Sequence, residues 1–188
     1  MKMNLPNKLT MIRILMVPVF VIFVAMHNSA ICQMIALLLF IIASLTDLAD
    51  GKIARSRNLV TDFGKFMDPI ADKLLVMSAL IMLVEQNRMP GWVCMLILAR
   101  EFIVSGFRLV AASKGTVIAA GIWGKLKTVS QMIYIPMALF LVPMKEVGAD
   151  AHTIWNVLTN IMMYISLALA VYSGFLYVWV NREYIKDM

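Results

Sequence analysis

Four aspartates stand in two closely spaced pairs, Asp47 with Asp50 and Asp68 with Asp72, within an otherwise strongly apolar stretch of chain. Spacings of i, i+3 and i, i+4 put each pair on one face of a helix. Two adjoining helix ends can therefore bring four carboxylates to one point. Left alone, such groups repel and most take up a proton. A divalent cation removes the conflict. No His or Cys lies nearby, and an all-oxygen donor set suits Mg²⁺, Mn²⁺ or Ca²⁺ rather than Zn²⁺. Two such ions bridged by carboxylates can hold the entering and leaving oxygens of an in-line displacement at phosphorus. Gly51 and Gly64, between the pairs, let backbone approach a bulky phosphate closely. Arg55 offers a forked donor to a diphosphate oxygen. The competing reading is a set of interface carboxylates solvated near lysines. Paired spacing on two adjoining helix ends favours the metal site.

A second group of charges lies further along. Glu101, Ser105 and Arg108 follow at i, i+4 and i+7 on one helical face, with Arg100 beside it. Arg100 stands about 12 Å above Arg108 at the rise of an α-helix. An arginine so deep in an apolar segment should face a bundle interior. It either pairs with Glu101 or a nearby aspartate, or helps to form an anion pocket with Ser105, Arg108, Lys125 and Lys127. So basic a group beside a metal site points to an acceptor that carries its own phosphate, such as glycerol 3-phosphate or inositol phosphate.

The elements that position these groups follow from composition. The chain has 188 residues, of which 62% are apolar, against roughly half in an ordinary soluble domain. Mean hydropathy is +0.84. The expectation is an all-α, polytopic membrane protein forming a single domain over residues 1–188. Six apolar segments of spanning length run at about 11–26, 31–47, 66–84, 91–112, 128–144 and 154–180. A brief interfacial helix is expected over residues 1–10, a polar stretch over 51–65, and a polar loop over 145–152. Lys and Arg gather at one set of segment ends, and the other set holds only Arg88 and Lys145. That asymmetry places both termini and all four aspartates on the cytoplasmic side. The net charge of +6 is then a membrane-surface feature rather than a sign of nucleic-acid binding. Cys32 and Cys94 lack metal-ligand spacing and read as buried or lipid-facing thiols. Their pairing near the outer face is left open. The first apolar run is long and no small-residue cleavage site follows it, so no cleavable signal peptide is expected.

The stretch reads D-x2-D-G-x2-A-R-x8-G-x3-D-x3-D, carried by Asp47, Asp50, Gly51, Ala54, Arg55, Gly64, Asp68 and Asp72. In this it resembles the complete signature of the CDP-alcohol phosphotransferase family, whose six-helix membrane architecture agrees with the six apolar segments. The resemblance implies transfer of a phosphatidyl group from CDP-diacylglycerol to an alcohol, with release of CMP. It implies that Asp47, Asp50 and Asp68 are ligands of two divalent cations, Mg²⁺ or Mn²⁺. Asp72 would be the general base and a further ligand, and Gly51, Ala54, Arg55 and Gly64 would belong to the CDP-diacylglycerol site. It also implies a homodimer in the bacterial cytoplasmic membrane, surrounded by membrane lipids.

Further matching stretches, PNKLTMIR, FMDPIADKLL, AREFIVSGFR and GKLKT, resemble a bacterial branch of the family that uses glycerol 3-phosphate as acceptor. On that likeness Arg100, Ser105, Arg108, Lys125 and Lys127 would bind the acceptor. Asn7, Thr10 and Arg13 are candidates for holding the nucleotide or its phosphates, with helix capping and interface anchoring as the alternative. Serine, inositol phosphate and phosphatidylglycerol remain alternative acceptors. An ion-coupled transporter would place its carboxylates near the bilayer midplane. Here they gather at one face with glycines and Arg55.

Overall fold

The computed structural model describes residues 5–56, 62–113, 118 and 121–182, and within these the side chains of 5–9, 47–56, 62–69, 72 and 113 lie outside the description. Among the described residues the chain is wholly α-helical. The helices are α1 (Leu5–Ala25), α2 (Ala30–Ser56), α3 (Asp62–Glu85), α4 (Gly91–Ser113), α5 (Ile122–Leu139), α6 (Leu141–Val147) and α7 (Ala149–Val180). The main packing partners are α5 with α7, α1 with α2 and with α3, and α4 with α7.

Apolar residues at helical spacing meet in one core. Val17, Phe20 and Val24 of α1 join Ala36, Phe40 and Ala43 of α2, Leu75, Ala79 and Leu83 of α3, and Ile97 of α4. Tyr134, Ile135 and Ala138 of α5 and Met163 and Ala170 of α7 complete it. The outward faces are apolar as well: Leu15, Ile22, Met95 and Phe175 are exposed, and Leu109 is 74% exposed. Helices apolar on every side lose free energy in water but not in hydrocarbon. On length and composition, α7 qualifies alone as a membrane-crossing helix among the described residues. The α5–α6 pair qualifies jointly with a 45° bend, and Thr10–Ala25 and Ala30–Thr46 are shorter apolar helices.

Several boundaries differ from those expected. Leu5–Thr10 is not a separate interfacial helix but the start of α1. The polar stretch is helical over most of its length, with α2 continuing to Ser56 and α3 starting at Asp62. Residues 57–61 lie outside the described set. The expected fifth span over 128–144 begins six residues earlier, at Ile122, and breaks at Phe140. Pro143 explains the break: it has no N–H for the carbonyl of Leu139, and its ring would press on that carbonyl. The expected loop over 145–152 shrinks to Gly148, whose φ of 151° suits a residue without Cβ. Cys32 and Cys94 are both free thiols, so they do not pair.

The end of the bundle away from the aspartates is closed by a polar knot. Arg88 donates from Nη1 to Gln33 Oε1 (3.1 Å) and to the carbonyl of Ala138 (2.7 Å). Its own carbonyl accepts from the Tyr134 hydroxyl at 3.0 Å. Gln33 and Gln86 both donate to the carbonyl of Val24, at 3.0 and 2.5 Å. Four helices are tied there through backbone groups that their ends leave unsatisfied. Asn87 makes the turn possible. At φ 56° it ends α3 with Arg88 N–H bonded to Leu83 C=O and Asn87 N–H to Val84 C=O, a Schellman closure in which Asn stands in for Gly. Burial pushes the Arg88 pKa down to about 10, so the guanidinium is still charged at neutral pH.

Candidate phosphate-handling site

Asp47 and Asp50 lie in the last turns of α2, and Asp68 and Asp72 in the first turns of α3. Both pairs are on helical backbone, so their i, i+3 and i, i+4 spacings hold as helical spacings. The two helix ends adjoin in the chain, separated only by residues 57–61. The side chains of all four aspartates lie outside the described residues, as do those of Gly51, Ala54, Arg55 and Gly64 on the same helices. Four carboxylates on two adjoining helix ends make a hard, all-oxygen donor set, which fits Mg²⁺ or Mn²⁺. Asn7 lies on α1 with its side chain likewise outside the description. Thr10 and Arg13, one turn apart, are each only 2% exposed. Their helix packs on both aspartate-bearing helices, more extensively than α5 does.

The charges of α4 open onto a cleft of about 370 Å³ between α3, α4 and α5, within the size range of small-molecule sites. Arg100, Ser105, Arg108, Lys125 and Lys127 all line it. Lys73, the residue after Asp72, lines it too and was not singled out by the sequence reading. Among the described residues, five cations therefore face one carboxylate, Glu101, in the cleft wall.

Glu101 organises that wall. Its Oε1 accepts from Arg100 Nη1 at 2.8 Å and from Lys127 Nζ at 2.5 Å. Of the possibilities raised for Arg100, the pair with Glu101 is present, and the paired arginine also lines the cleft. The Glu101 carbonyl accepts from Ser105 Oγ at 2.6 Å, and Ser105 Oγ in turn accepts from Lys73 Nζ. One short chain of polar contacts therefore joins α3, α4 and α5. Arg108 sits with its guanidinium 5.7 Å from the centre of the Tyr177 ring, a cation–π contact with α7.

Arg100 also depends on two glycines. A Cβ on Gly174 of α7 would lie 2.7 Å from Arg100 Cγ, and one on Gly124 of α5 would lie 3.5 Å from Nη2. Gly174 is therefore a slot for the arginine stem. The sequence offered little signal for it, since a glycine within an apolar helix says nothing of what crosses it. Lys73 was more accessible to sequence reading. It shares a helical face with Val76, Met77 and Leu80, which also line the cleft.

The described residues thus form a helical bundle with an apolar exterior, paired aspartates on adjoining helix ends and a basic cleft that begins one residue beyond Asp72. Comparison with known proteins makes the class definite. Residues 3–172 match the model of the family described as CDP-alcohol phosphatidyltransferase. The chain is 40% identical over 195 residues to a Bacillus subtilis protein named CDP-diacylglycerol–glycerol-3-phosphate 3-phosphatidyltransferase, with 97% of each chain covered. A Rickettsia bellii protein of the same name is 40% identical over 181 residues, covering 96% of this chain and 97% of its own. A Mycobacterium tuberculosis protein named probable phosphatidylglycerophosphate synthase is 44% identical over 144 residues, covering 75% and 67%. The chain belongs to the CDP-alcohol phosphatidyltransferase family.

Proposed function

We propose that this protein transfers the phosphatidyl group of CDP-diacylglycerol to glycerol 3-phosphate, yielding phosphatidylglycerophosphate and CMP for phosphatidylglycerol synthesis. The observation that carries the choice of acceptor is the cleft: among the described residues it sets five cations against one carboxylate, beginning one residue beyond Asp72. Serine has no phosphate to use such a wall, whereas a phosphorylated alcohol does. The names of the bacterial relatives agree.

In this reading Asp72 takes the proton of the acceptor hydroxyl. The freed oxygen attacks the β-phosphorus of CDP-diacylglycerol. The new O–P bond forms as the bridging P–O bond breaks, and CMP leaves with that oxygen. Two divalent cations, Mg²⁺ or Mn²⁺, held by Asp47, Asp50, Asp68 and Asp72, supply charge neutralisation and polarisation at phosphorus. Arg55 neutralises charge on the departing CMP phosphate. Gly51, Ala54 and Gly64 leave room for the diphosphate, with Asn7, Thr10 and Arg13 on the nucleotide side. Burial of Thr10 and Arg13 supports that role over anchoring at an interface, which would leave them exposed. Arg100, Ser105, Arg108, Lys125 and Lys127 receive the acceptor phosphate. The protein spans the bacterial cytoplasmic membrane six times as a homodimer, with its termini and aspartates on the cytoplasmic side. The basic asymmetry of the sequence supports that orientation.

Purified protein, given CDP-diacylglycerol and Mg²⁺ or Mn²⁺, should release CMP with glycerol 3-phosphate. It should not do so with serine, inositol phosphate or phosphatidylglycerol. Release with one of these and none with glycerol 3-phosphate would overturn the assignment.

A further inference from the structure

Lys73 is the cation of the cleft that stands nearest the aspartates in the chain, one residue and a helical rise of about 1.5 Å beyond Asp72. No role falls to it in the mechanism proposed above. Its ammonium donates to Ser105 Oγ, and that hydroxyl gives its own proton to the Glu101 carbonyl. Ser105 thus anchors the ammonium in the wall between α3 and α4 without neutralising it, and two of its N–H groups remain to donate. Glu101 does not neutralise it either, because its Oε1 takes Arg100 and Lys127. Among the described residues Lys73 has no carboxylate partner. A partly buried charge without a counter-ion is costly, so this point of the cleft favours an anion.

Position tells which anion. In glycerol 3-phosphate only three carbons separate the reacting hydroxyl from the phosphate. With that hydroxyl at Asp72, the phosphate is confined to the near end of the cleft. After the turn at 86–90, α4 runs back along α3. Arg108 therefore lies to the aspartate side of Ser105, and Glu101 with its two cations lies one turn to the other side. Lys73, bonded to Ser105, stands between them, at the level that so short an acceptor reaches.

We infer that Lys73 is a specificity-determining residue: its ammonium, held by Ser105, binds the acceptor's phosphate and so selects a phosphorylated alcohol over an uncharged one. This rests on the proposed function and names the cation that serves it closest to the base. An alcohol without a phosphate leaves that ammonium without its counter-ion, which is the source of the discrimination. A lysine suits the task, because its compact charge on a flexible stem meets a phosphate oxygen with any of its donors.

The test uses full-length protein in lipid–detergent micelles, with Lys73→Met removing the ammonium and keeping most of the stem. The expected result is a KM for glycerol 3-phosphate raised about tenfold or more, with the KM for CDP-diacylglycerol unchanged. Inorganic phosphate, as a competitor of glycerol 3-phosphate, should lose affinity by a similar factor. An unchanged acceptor KM would overturn the inference. So would a KM for CDP-diacylglycerol that rises in step, because Lys73 would then serve the donor's phosphates. A raised acceptor KM with undiminished inhibition by phosphate would overturn it too, since Lys73 would then meet another part of the acceptor. Should the variant fail to fold, the wild-type protein decides: glycerol 3-phosphate and inorganic phosphate should each slow modification of Lys73 by an amine-directed reagent, read by mass spectrometry, and absence of protection would overturn the inference. Wild-type protein that releases CMP with inositol phosphate but not with glycerol 3-phosphate would contradict the proposed function alone, and protection of Lys73 by inorganic phosphate would still decide its role. Turnover of serine alone would overturn both.

Discussion

In the proposed mechanism Asp72 and Arg108 stand for two kinds of site residue, one acting on a proton and the other on a charge. Asp72→Asn keeps the shape of the side chain and removes the base. Turnover should be abolished while CDP-diacylglycerol still binds, as read by CMP release beside equilibrium binding of the donor. Loss of folded protein would instead mark Asp72 as structural. Arg108→Ala should raise the KM for glycerol 3-phosphate more than that for CDP-diacylglycerol, and equal effects would argue against its place on the acceptor side. At this scale the sequence was legible where chemistry is costly. Aspartates and arginines inside apolar helices need partners, so Asp47, Asp50, Asp68, Asp72, Arg100 and Arg108 stood out at once. Gln131, buried in the cleft wall, did not, because a glutamine in a helix signals nothing until its burial is known. Nor could spacing show that Glu101 takes both Arg100 and Lys127 on one oxygen, since Lys127 comes from another helix.

Helices set how firmly those side chains are held. The α4–α7 contact works because Gly174 leaves a slot for the Arg100 stem. Gly174→Ala would gain about 1 kcal/mol of helix propensity but must displace Arg100 Cγ, at a cost of roughly 1–3 kcal/mol. The variant should melt at a lower temperature and show a raised KM for glycerol 3-phosphate. Gly106→Ala is the control: nothing lies within 4 Å of a Cβ there, and stability should hold or rise. If the two variants behaved alike, the slot would have no energetic meaning. At the other end of the bundle, Arg88→Ala would strip Gln33 and Ala138 of a charged donor. A loss of roughly 1–3 kcal/mol is expected, seen as a lower melting temperature in detergent with both KM values unchanged. Helix positions were largely readable from apolar periodicity and helix ends less so. Hydropathy continues straight through Phe140, and only the Pro143 backbone argument reveals the bend. The polar stretch from Gly51 to Lys65 gave no apolar periodicity to read, yet helical backbone enters it from both sides.

For the molecule as a whole, the all-α architecture of the described residues and the gathering of the α4 and α5 charges around one cleft follow from where polar residues interrupt an apolar chain. The proposed orientation rests on charge asymmetry. Single cysteines introduced at Lys125 and at Lys145, in a background with Cys32 and Cys94 replaced, should differ in intact cells. A membrane-impermeant thiol reagent should label the second and spare the first, and the reverse pattern would invert the topology. The central claim is that one membrane protein joins a lipid-linked nucleotide to a phosphorylated alcohol, with Asp72 at the reacting end and the cationic cleft at the other. Its most direct measurement is the transfer of labelled glycerol 3-phosphate into the chloroform-soluble fraction by purified protein in liposomes. Label should enter lipid only with CDP-diacylglycerol and Mg²⁺ or Mn²⁺ present, mole for mole with CMP released, and should vanish with Asp72→Asn. Label that stays in the aqueous phase while CMP is released, or lipid labelling that survives Asp72→Asn, would contradict the account.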